Sequence, residues 1–165
     1  MPTPRSTPSA EDKRAPHTTR VTPSQADAAD FAALALAWPT TKAGERTVLP
    51  HYAGSSDALY IAQLASRAGA LLAVLTASAN DAQRLLDEIP YFAPQLRVRL
   101  LPDWETLPYD NFSPHHDLVS ERLATLYSVL RGECDVLLVP ASTACYRFAP
   151  PAYLAAYTFF FKKGE

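Results

Sequence analysis

Apolar positions recur along this chain at two spacings, and the alternation between the two outlines a fold. Phe31, Leu34, Ala35 and Trp38 fall at i, i+3, i+4 and i+7, which predicts a short amphipathic helix ended by Pro39. Thr47-Val48-Leu49 reads as a short strand. After the loop His51–Asp57, a helix carries Leu59, Tyr60, Ile61, Leu64 and Ala65 to about Ala68, with Ser55 or Ser56 as its cap and Gly69 as its stop. Ala70–Thr76 is unbroken apolar sequence, which predicts a strand buried on both faces. Ser78 then caps a helix with Asp81 three residues on. Its stripe Ala82, Leu85, Leu86, Ile89 runs to Pro90.

Leu96–Leu101 is the next strand. A helix capped by Asp117 follows, with Val119, Leu123, Leu126 and Leu130 as its apolar stripe and Gly132 at its end. Cys134–Val139 is the most apolar strand, ended by Pro140. Strand and helix thus alternate four times over short connections, the pattern of an α/β fold: a parallel sheet with helices on both faces. Pro150-Pro151 opens a helical turn with Tyr153 and Leu154, and Tyr157–Phe161 reads as an aromatic strand that lacks a partner. That leaves three expected regions: a disordered tail at 1–27, an α/β domain at 28–149, and the opening elements of an incomplete further domain at 150–165.

Between the third strand and its helix lies the least generic stretch. Pro102, Pro108 and Pro114 exclude a helix interior or a central strand from residues 102–114, yet the run holds Trp104, Tyr109 and Phe112. Such side chains either pin the loop to a core or face a partner.

Composition narrows the function classes. The 165 residues are 48% hydrophobic and carry a net charge of −2. Residues 45–165 hold ten Lys/Arg against thirteen Asp/Glu, with no basic cluster suited to a phosphate backbone. Pro-rich residues 1–27 have almost no large apolar side chain, which accounts for the expected disorder. With no signal-peptide core, no apolar run long enough for a membrane span and only two cysteines, Cys134 and Cys145, a soluble protein of a reducing cytoplasm is expected.

Candidate chemistry is sparse. Gly54-Ser55-Ser56-Asp57 stands where an α/β nucleotide-binding protein carries its phosphate loop, but it lacks the Lys and places a carboxylate where the anion would sit. His115-His116-Asp117 lacks the further ligands of a metal site and reads as a turn before a helix. No serine lies in a Gly-x-Ser-x-Gly elbow, and Asp103, Glu105 and Asp110 are explained as turn and cap residues. The expectation is no catalytic residue and no metal.

The run Asp103-Trp104-Glu105-Thr106-Leu107-Pro108-Tyr109-Asp110, with Phe112-Ser113-Pro114-His115 and Arg122–Tyr127 after it, closely resembles the N-terminal signature of bacterial transcription-repair coupling factors (Mfd). The resemblance extends to Val136–Pro140 and Lys162-Lys163-Gly164. It implies a UvrB-like, degenerate P-loop-type module whose first α/β part is interrupted by an inserted domain that carries the main UvrA contacts. Here the chain would stop shortly after entering that insertion, at about Pro150. It also implies a parent that uses ATP and Mg in later motor domains, translocates on DNA, displaces stalled RNA polymerase and recruits excision-repair proteins. On this resemblance the fragment is a catalytically inactive scaffold without cofactor, and Trp104, Tyr109 and Phe112 brace an architectural corner. An independent nucleotide-binding α/β enzyme is the alternative, and autonomous DNA binding is expected to be weak.

Overall fold

A computed structural model describes residues 43–104, 106, 111 and 113–157. The elements in chain order are α1 (Ser56–Ala68), β1 (Leu72–Thr76), α2 (Ala79–Phe92), β2 (Val98–Leu100), α3 (His116–Leu130), β3 (Val136–Pro140), α4 (Ala141–Ala144) and α5 (Pro151–Tyr157). The three strands form one parallel sheet in the order β1-β3-β2. The expected α/β fold is therefore observed. The tail at 1–27, the helix around Phe31–Trp38 and residues 158–161 of the aromatic run lie outside the described residues, whereas Tyr157 closes α5 rather than opening a strand.

Register explains the core. Leu72 pairs with Val136, Val74 with Leu138, and across the other side Val98 with Val136 and Leu100 with Leu138. With a side-chain period of two, these residues share one face. Against that face pack Ala58, Ala62 and Ala65 of α1 and Ala82, Leu85 and Ile89 of α2. The alanines let α1 approach closely, while Ile89 and Leu138 supply volume and are fully buried. Right-handed crossovers run in opposite directions across this sheet, which puts α2 and α3 on opposite faces. The packing agrees: α1 lies on α2, and α3 lies on α5.

Helix ends follow local chemistry. Gly69 takes the left-handed conformation, φ 60°, that stops α1 without a Cβ penalty. Ser78 caps α2 by accepting from the Asp81 N–H at 3.1 Å, while its hydroxyl donates to the Asp81 carboxylate at 2.7 Å.

Several expectations are corrected. Thr47-Val48-Leu49 is not a strand. Val48 is 95% exposed, and among the described residues the segment joins neither edge of the sheet. β1 is not buried on both faces: Leu72 and Val74 face the core, but Leu75 is 67% exposed. Pro90, where the apolar stripe stops, lies inside α2, which continues to Phe92. It sits in the last turn, where its missing N–H costs one bond and the Ala93 N–H still reaches the Ile89 carbonyl at 3.0 Å.

On α3 the leucine stripe is not the buried face. Leu123 and Leu130 are exposed, whereas Arg122 and Thr125 are buried. The reason is the edge of β2. The Leu101 N–H bonds to Leu138 of β3, so the alternating carbonyls of Leu100 and Pro102 point away from the sheet. Thr125 Oγ1 donates to the Leu100 carbonyl at 3.4 Å, and Arg122 donates to the Pro102 carbonyl. Polar side chains thus cover an edge that would otherwise present unpaired acceptors. The α3 cap is His115, not Asp117: its Nδ1 accepts from the Asp117 N–H at 3.3 Å.

At the amino ends of the strands, Asp135 accepts three bonds from Arg97: backbone N–H at 2.8 Å, Nε at 3.0 Å and Nη2 at 2.7 Å. These bonds hold the Asp135 carboxyl at about 2, below its usual 3.8. A depressed acid contributes stability that is complete above its unfolded value and fades as pH falls through its folded one. Asp135→Asn should therefore flatten the acid dependence of the urea midpoint from pH 3.8 down towards about 2; an unchanged slope would show that the pair does not couple to folding. Leu138→Ala, in the central strand, should lower stability by about 2–5 kcal/mol in urea unfolding.

Candidate functional site

Parallel sheets bind ligands outside the carboxyl ends of their strands. Two of the sequence-derived sites converge on that end. A three-residue turn, Gly69–Leu71, connects α1 to β1, so α1 runs back along the sheet and its N-terminus, with Gly54-Ser55-Ser56-Asp57, lies towards the carboxyl side.

Side chains of the chain itself occupy the N-terminus of α1. Asp57 accepts the Ala58 N–H at 2.7 Å and two bonds from the Arg84 guanidinium of α2, at 3.1 and 2.6 Å. Arg84 also donates to Glu88 at 2.7 Å. Hydrogen bonding to Arg84 holds the Asp57 carboxyl below its ordinary value despite partial burial, and Asp57 in turn raises the Arg84 pKa. A helix N-terminus favours negative charge, and Asp57 supplies it from within the chain. The expected serine cap is corrected: Ser55 holds the cap position without a side-chain bond, and the Ser56 hydroxyl donates to the Ala53 carbonyl at 2.7 Å.

At the carboxyl end of β3 the short helix α4 packs against β3 and β1. Thr143 is completely buried there. Ser142 Oγ donates to the Asp103 carboxylate, which also accepts the Trp104 N–H at 2.8 Å. Burial alone would raise the Asp103 pKa; the bonds from Ser142 and the Trp104 amide keep it low. Thus Asp103 ties the loop after β2 to the helix after β3.

Trp104 is half-buried, and its ring lies over the Arg122 guanidinium, 4.2 Å from carbon to ring centroid. Arg122 is only 4% exposed. Burial lowers its pKa, opposed by the charges of Asp103 and Tyr146. The signature residues Trp104 and Arg122 are therefore in contact, although they are far apart in sequence. Ser113 is exposed and Pro114 half-buried. Glu105, Leu107, Pro108, Tyr109, Asp110 and Phe112 lie outside the described residues.

Other candidate groups do not assemble. His115 and His116 are exposed, and among the described residues no three His, Cys, Asp or Glu side chains come together to hold a metal ion. Cys134 is buried and its Sγ donates to the Val136 carbonyl, whereas Cys145 is exposed and both are free thiols. A cleft of about 530 Å³, lined by Gly69, Leu71, Gln95, Arg97 and Cys134 among others, opens at the amino ends of the strands, opposite the ligand-binding end. No described helix is long and apolar enough to cross a membrane.

Sequence reasoning missed Arg84 and Ser142. Arg84 carries a visible signal in its i, i+4 spacing to Glu88, but its Asp57 partner is 27 positions away and no local pattern joins them. Ser142 follows a proline-ended strand and has no signal.

These features define a parallel α/β domain with an internal Asp57–Arg84 ion pair at the N-terminus of its first helix. No family model matches the chain. It is 40% identical over 124 residues to the transcription-repair-coupling factor of Escherichia coli (strain K12), a match covering 75% of this chain and 11% of that relative. It is 35% identical over 125 residues to the transcription-repair-coupling factor of Haemophilus influenzae, covering 76% and 11%. The factor of Mycobacterium tuberculosis is 39% identical over 99 residues. The chain belongs to the transcription-repair-coupling factor family, and it spans about 11% of the length of the Escherichia coli and Haemophilus influenzae relatives.

Arg122 and Trp104 should be energetically coupled. In a double-mutant cycle of Arg122→Met and Trp104→Leu, a coupling of about 0.5–2 kcal/mol is expected for a desolvated cation–π contact. Additivity within about 0.5 kcal/mol would remove the contact from the account of the loop.

Proposed function

We propose that this chain is a catalytically inactive, UvrB-like scaffold and protein-interaction module of a transcription-repair coupling factor, acting in the cytoplasm. The observation that carries the reading is the Asp57–Arg84 ion pair at the N-terminus of α1. A phosphate bound there would have to displace a carboxylate already holding two guanidinium bonds, and the segment Gly54–Asp57 offers no lysine to replace that charge. The packing of α4 against β1 and β3 supports the same reading, because it places chain at the carboxyl end of the strands, the side where parallel sheets take ligands.

On this proposal the ATP and Mg of the family act in motor domains elsewhere in the parent. The parent's work is translocation on DNA, displacement of stalled RNA polymerase and recruitment of UvrA, and this module contributes the framework on which an inserted UvrA-contacting domain is mounted. The mildly acidic balance of residues 45–165 suits protein partners better than a nucleic-acid backbone.

Thermal unfolding with and without Mg–ATP tests the reading. No change in melting temperature is expected at millimolar nucleotide. A site filled at 100 times its dissociation constant would add about 2.7 kcal/mol, and a shift of that size would favour a nucleotide-binding enzyme instead.

A further inference from the structure

We draw no further inference here: the strongest candidate, the outer edge of β1 with the exposed apolar side chains of Leu71 and Leu75 beside it, is an unpartnered sheet edge, and nothing in the described residues shows what covers it.

Discussion

Everything in this domain hangs on β3. β1 and β2 do not touch each other; each is hydrogen-bonded only to the strand between them among the described residues. Val136 and Leu138 accordingly appear in both registers, and both are completely buried. The helices inherit this dependence. α1 and α2 have an apolar face to cover only because three strands present aligned side chains, and Ile89 meets a surface that no single strand could provide.

The carboxyl end of the sheet is held together by internal polar contacts between loops and helices. At the first loop a carboxylate and a guanidinium pair across two helices. After the third strand a four-residue helix packs against β3 and β1, and Ser142 bonds the loop that leaves β2. Both contacts join segments distant in sequence through charged or polar side chains. Arg122 belongs to the same logic: a buried cation needs acceptors, and it takes a backbone carbonyl and an aromatic face from the loop it braces.

How much of this was legible in the sequence depends on the range of the interaction. The order of helices and strands was readable, because period-two and period-3.6 apolarity are local: Ser78 with Asp81 and Gly69 behave as their types require. Which face is buried was not always readable. The leucines of α3 gave the wrong face, since the deciding contacts are two outward carbonyls of β2, and a carbonyl has no sequence signature. The run Ala70–Thr76 overstated burial because composition does not show which face of a strand is covered, and Leu75 is exposed. For the candidate site, the missing lysine and the intrusive Asp57 were evident from residue types alone. That Asp57 is held by Arg84 was not, since their pairing depends on the packing of α1 against α2.

The placement of β3, the last of the described strands, in the middle of the sheet has a consequence for synthesis. A ribosome delivers β1 and β2 well before β3, and these two cannot pair with each other in the native arrangement. Until residue 140 has cleared the exit tunnel, the apolar faces of Leu72, Val74, Val98 and Leu100 have helices but no central strand to join them. At roughly 5–20 residues per second, the interval from Thr76 to Pro140 lasts on the order of seconds. During it the nascent chain presents unpaired strand edges, the kind of surface that chaperones hold.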